Sequence, residues 1–149
     1  MPALTDLEAL YRETVLAHYR SPRNRVPLHD PHGTALVHNP VCGDQVRVEV
    51  RVRAGRIEEL AAISRGCSIA VASGSVMTEW ARGREPHEVV AMRASLETLV
   101  SGADPGPSLP DSLRAFGRVA ELPSRRRCAL LAWEALETAI QGIDPQRIE

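Results

Sequence analysis

The chain has three cysteines, Cys42, Cys67 and Cys128, and an aspartate two residues after the first, in the run Cys42-Gly43-Asp44. Three thiols and a carboxylate are four potential donors, the number that a tetrahedral zinc site uses. Each cysteine stands at the boundary of an expected element rather than within an apolar stripe. Cys42 lies in the turn sequence Asn39-Pro40-Val41-Cys42-Gly43-Asp44, Cys67 between a strand end and a helix start, and Cys128 in the first turns of the last helix. Such places suit ligation, because the backbone fixes the sulfur while the adjoining loop leaves room for a metal or a partner. The residues alone leave two readings open, a metal or reactive-thiol site and three unrelated core cysteines. Asp44 is either a turn aspartate making an Asx-type bond or a ligand more replaceable than a thiolate on a borderline-soft ion.

Arg125, Arg126 and Arg127 precede Cys128 where a helix begins, and cations there oppose the helix macrodipole. A local conflict of this kind often marks function. Guanidinium groups would offset the excess negative charge of three thiolates and a carboxylate around Zn²⁺; the alternative is a solvated basic patch. A rival donor set is His29, His32 and His38 with Asp30, where His29 and His32 have ligand spacing in a proline-rich loop. His18, on the core side of the first helix, reads as a packed histidine with a satisfied hydrogen bond.

The elements that must position these groups follow from periodicity. Residues 4–8 read as a helix start, with Thr5 and Glu8 in capping-box spacing and Leu4 placed to staple against Ala9. Leu7, Leu10, Tyr11, Val15 and His18 then share one face, and the helix ends near Ser21-Pro22. Residues 22–40 form a loop with one short strand expected at 35–37. Val46, Val48, Val50 and Val52 alternate with Arg47, Glu49, Arg51 and Arg53, the pattern of a half-buried antiparallel strand. Ala54-Gly55 supplies a tight turn and residues 57–65 a returning strand, so the hairpin carries Cys67 toward Cys42.

A helix is expected over 68–81, with small residues at Ala70, Ser73, Gly74 and Ser75 that permit close packing on a sheet. Short helices are expected at 86–92 and 95–100, then a Pro/Gly loop at 103–110. A short helix capped by Asp111 should span 111–119, and a last helix 124–141 should end at Gly142.

Composition bounds the function. At 149 residues, 44% hydrophobic and 25% charged, the chain is long enough for one domain with its own core. A net charge of -1 gives no reason to expect a nucleic-acid or membrane partner. Residues 1–8 carry neither a basic nor an apolar signal region, and the cysteine number is odd, so reduced thiols in a cytoplasm are expected. All 18 basic residues are arginine. Without lysine the chain can form no Schiff base with pyridoxal phosphate of its own, and it lacks the lysine of a Walker A loop.

Several motifs together resemble the NifU N-terminal/IscU-like proteins of iron-sulfur cluster assembly. They are Leu10-Tyr11-Arg12, His18-Tyr19, Pro22-Arg23-Asn24, Asn39-Pro40-Val41-Cys42-Gly43-Asp44, Gly66-Cys67-Ser68-Ile69 and Cys128-Ala129-Leu130, and the resemblance runs from about Leu7 to Ile140. Within the family the chain is most similar to the SufU branch. The IscU branch has a histidine directly before its last cysteine, behind a Pro-Pro-Val-Lys motif; here Arg127 and Leu122-Pro123-Ser124-Arg125 stand in those places. A SufU-type insertion would correspond to residues 83–122.

The resemblance implies a single α+β domain, 1–149, with a small, about three-stranded antiparallel sheet, helices mainly on one face and a metal site at one end. It implies Zn²⁺ held by Cys42, Asp44, Cys67 and Cys128, and a role as sulfur acceptor from a SufS-type cysteine desulfurase whose pyridoxal phosphate supplies the chemistry this chain lacks. A histidine of the partner would take the place of Cys42 on the metal, freeing Cys42 to accept persulfide sulfur, with Arg125 and Arg127 steadying the anionic site. Downstream assembly proteins or apoproteins would receive the sulfur. The alternatives are a scaffold for an Fe-S cluster and a zinc-stabilised binding module without turnover.

Overall fold

The structure, a computed structural model, describes residues 4–41 and 43–148, with side chains from Glu8 onward. The side-chain cap expected at Thr5, the Leu4 staple and Cys42 lie outside the described residues. In chain order the elements are α1 (Leu4–Arg20), β1 (Gly33–His38), β2 (Gln45–Arg53), β3 (Arg56–Arg65), α2 (Ser68–Ala81), α3 (Pro86–Val100), α4 (Asp111–Arg114) and α5 (Arg126–Gln141).

Valine at every second position gives β2 one apolar face, and Val46, Val48, Val50 and Val52 are all buried on it. Each such burial stabilises the fold by about 1.5 kcal/mol or more. The sheet runs β1-β2-β3, antiparallel throughout. Ala54 and Gly55 both take positive φ, at 54° and 75°, the conformation that closes a two-residue hairpin. The register then sets Gln45 opposite Arg65. That pairing is what brings Asp44 beside Gly66 and Cys67.

Leu60 and Ala62 of β3 pair with Val50 and Val48 and extend the same face. Helices α2 and α5 pack there, α5 over β1 and β2 and α2 over β3. Gly74 makes the approach possible: a β-carbon on it would lie 3.0 Å from Ser64 Oγ and 3.4 Å from Ala62 Cβ. Trp133 is fully buried and donates its indole N–H to Ser73 Oγ at 3.2 Å. Ser73 in turn donates to the Ala129 carbonyl, at 2.6 Å, locking α2 to α5.

The opposite face is less open than alternation predicts. Glu49 is only 5% exposed, because the 22–32 loop passes over it and the Leu28 N–H donates to Glu49 Oε1 at 2.7 Å. The free edge of β3 is also covered. The Ala62 N–H donates to the Asn24 carbonyl, and the Ile57 N–H to the Arg84 carbonyl, both at 2.9 Å, which blocks pairing with another strand there.

The 83–122 stretch departs from expectation in detail. One continuous helix, α3, replaces the two short ones, since buried Val89, Leu96 and Val100 keep a helical phase through Arg93 and Ala94. Its start is a capping box between Glu85 and Glu88 with Pro86 in the first turn. The expected helix 111–119 is only the single turn of α4, followed by a 3-10 helix at Ala115–Glu121. Buried Leu113, Phe116 and Val119 recur every third residue, which suits the 3-10 period. Asp111 is the first helical residue and Pro110 the cap.

Candidate metal centre

Three of the four expected ligands converge at the end of the sheet away from the hairpin turn. Asp44 directly precedes β2, Cys67 is the N-cap residue of α2, and Cys128 is the third residue of α5. One ligand atom from each lies within 4.8 Å of the others, and this is the set capable of holding a metal among the described residues. The fourth, Cys42, lies outside them.

The geometry suits a metal. A tetrahedral zinc ion with bonds of about 2.1–2.3 Å sets its ligand atoms roughly 3.5–3.8 Å apart. Cys67 Sγ lies 3.5 Å from Asp44 Oδ2, to which its thiol donates. Asp44 is 2% exposed, and its other oxygen accepts the Cys67 backbone N–H at 3.0 Å. The carboxylate is thereby fixed to the first residue of α2, with one oxygen engaged by backbone and the other aimed at sulfur. Two helix N-termini, those of α2 and α5, bring their positive ends to the site, which favours a cluster of anionic ligands there.

Gly66 makes room for this. It has φ of +143°, and a β-carbon on it would sit 2.0 Å from Asp44 Oδ1. Asn39 closes the other side. It is 2% exposed, and its side-chain amide donates to Cys128 Sγ at 3.9 Å. Neither role follows from the motif that contains the residue. The signal for Gly66 is a glycine joining a strand directly to a cysteine; for Asn39 it is only an asparagine opening the turn.

The arginines divide. The Cys67 sulfur beside it, then the charges of Cys67 and Cys128, hold the Arg125 guanidinium above its ordinary value. Arg127, on the contrary, pairs with Glu134 at 3.3 Å on the solvent side of α5. Arg126 donates to the Ala120 carbonyl at 3.1 Å. Tyr11 of α1 stands close by; burial, then the charge of Cys67, pushes its phenol up, against Arg118 and Arg125.

The rival histidine set does not assemble. His32 Nδ1 accepts the Val52 N–H at 3.0 Å, and Asp30 pairs with Arg147 at 2.8 Å and Arg51 at 3.7 Å. His18 is the packed histidine expected, its Nδ1 lying 2.7 Å from Ser75 Oγ.

Residues 10–147 match the family model for the NifU-like N terminal domain. The chain belongs to that family. This NifU-like protein is 31% identical over 136 residues to the zinc-dependent sulfurtransferase SufU of Bacillus subtilis, covering 91% of this chain and 92% of that one. It is 32% identical over 140 residues to the iron-sulfur cluster assembly scaffold protein IscU of Streptococcus pyogenes, covering 93% and 87%. Among solved structures, one described as a scaffold protein for the SUF system of Fervidobacterium islandicum superposes with a TM-score of 0.81 at 25% identity, covering 89% of this chain and 98% of that one.

Proposed function

We propose that this NifU-like protein is a zinc-dependent sulfur acceptor in iron-sulfur cluster assembly, taking persulfide sulfur from a SufS-type cysteine desulfurase. The observation that carries the reading is the convergence of Asp44, Cys67 and Cys128 within 4.8 Å, in a chain similar over nine-tenths of its length to a zinc-dependent sulfurtransferase. Cys42, two residues before Asp44, is the fourth ligand and the acceptor. Bound zinc supplies the positive charge that keeps thiols as thiolates at neutral pH.

In the transfer the Cys42 thiolate attacks the outer sulfur of the donor's persulfide. A new sulfur–sulfur bond forms on Cys42, the bond to the donor's cysteine breaks, and that cysteine leaves as a thiolate. Charge and electrons balance without an external oxidant. Asp44, Cys67 and Cys128 stay in place, and Arg125 steadies the negative charge. Arg127 serves less directly, being engaged with Glu134. The absence of lysine accords with this division of labour, since the Schiff base of pyridoxal phosphate then belongs to the donor.

We place the reaction in a cytoplasm, where thiols stay reduced. No described helix is long and apolar enough to cross a membrane. The likeness to the Streptococcus IscU favours a second reading, a scaffold holding an Fe-S cluster on the same thiols before handing it to apoproteins. Desulfurase turnover measured with zinc-loaded and metal-free protein distinguishes the two. Sulfur acceptance is expected from the zinc form alone, and labelled sulfur appearing on a Cys42→Ala variant would sink the assignment. A stable cluster formed anaerobically and passed to an apo-ferredoxin would establish the scaffold instead.

A further inference from the structure

Asparagine in a loop ordinarily faces water, yet Asn39, between β1 and β2, is 2% exposed. Its hydrogen-bonding groups are all engaged. Its backbone N–H donates to the Asp44 carbonyl and its own carbonyl accepts the Gly43 N–H, both at 2.8 Å, which brings Gly43 and Asp44 back against Asn39. Its side-chain oxygen accepts the Val41 N–H at 3.2 Å, an Asx turn that folds the loop back. Its side-chain amide reaches 89 residues along the chain to Cys128 Sγ.

We propose that Asn39 is a positioning residue that ties Val41, Gly43 and Asp44 to the Cys128 sulfur, so that Cys128 stays anchored while Cys42, as proposed above, is the thiol that exchanges. The inference rests on the metal-and-sulfur reading above and assigns unequal parts to its thiols. An N–H donor on a sulfur draws density from the lone pair and weakens it as a nucleophile. The position needs a donor and an acceptor on one short side chain. Aspartate offers only acceptors, and serine reaches Val41 but not Cys128.

Two sets of measurements on the full chain test this. In amide NMR spectra of the metal-free protein, the Asn39 side-chain amide resonances are expected to shift in Cys128→Ala. Slow exchange at the Val41 N–H is expected to persist in Asn39→Ser, whose hydroxyl can accept it, and to be lost in Asn39→Ala. With cobalt(II) as the probe in place of zinc, the thiolate-to-metal absorption should move to longer wavelength in both Asn39 variants, and a chelator should extract the cobalt several-fold faster. Unmoved Asn39 resonances in Cys128→Ala, or an Asn39→Ser cobalt spectrum identical to that of the unaltered protein, would overturn the proposal. If the unaltered protein takes up no cobalt, the metal reading itself fails, and the resonances of the metal-free chain alone decide the role of Asn39.

Discussion

Gly66 and Asp44 compete for one volume: a β-carbon on Gly66 would fall 2.0 Å from Asp44 Oδ1. The glycine is the space in which the carboxylate sits, and its φ of +143° is one that side chains rarely adopt.

Gly66→Ala is therefore expected to displace Asp44 and cost about 1–3 kcal/mol through backbone strain. Denaturant unfolding should show the loss, and metal stoichiometry should fall in the same variant. Unchanged metal binding would mean that Asp44 is not a ligand.

At Asp44 itself, asparagine and alanine should part company. Asp44→Asn keeps an oxygen for the Cys67 N–H and should unfold near the midpoint of the unaltered protein while binding metal more weakly. Asp44→Ala leaves that N–H without its acceptor and should lose a further 1–3 kcal/mol, roughly. Chelator competition and urea midpoints on the pair separate the ligand role from the structural one.

Arg125→Ala and Arg127→Ala form the next contrast. Arg125 brings its charge beside Cys67 and Cys128, so its loss should slow sulfur acceptance on the order of tenfold, positive charge having been removed from an anionic site. Arg127 pairs with Glu134 at the surface, and its loss should change stability by less than about 1 kcal/mol and transfer little. Equal effects from the two would show that general positive charge is what matters.

His18 makes stability depend on pH. Burial first, then the Arg23 charge, holds its imidazole below the ordinary value of 6.5, against the pull of Glu79. The folded chain thus prefers the neutral ring. That contribution is fully present above pH 6.5 and declines on acidification, as the unfolded chain takes up the proton first, down to the folded value. His18→Gln should lower stability at neutral pH and flatten its fall between pH 7.5 and about 5, as read from urea midpoints. An equally steep fall would assign the dependence to carboxylates.

The valine alternation of β2 and the Ala54-Gly55 turn make the hairpin legible in the sequence, and with it the return of Cys67 to the end of the sheet where β2 begins. Helix α2 is equally readable, because small and apolar residues run from Ser68 to Ala81 and bury it on nearly every side. The middle of the chain was not. Whether two short apolar patches join into α3, or a three-residue period prevails after Leu113, depends on what the core accepts rather than on local preference. The arginine run shows the limit most clearly. Arg125 caps α5 from the preceding turn and Arg127 lies within its first turn, so which of them faces the thiols is fixed by where the helix starts and how α5 is rotated in its packing. Asn39 was hidden for a related reason, since its partner lies 89 residues away.

The donors at Asp44, Cys67 and Cys128 are spread over more than half of the chain. Anything that binds all of them is therefore also a cross-link, closing long loops and removing configurations open to the unfolded polypeptide. On the proposed reading, free metal therefore adds to the stability of the fold by mass action as well as serving its chemistry.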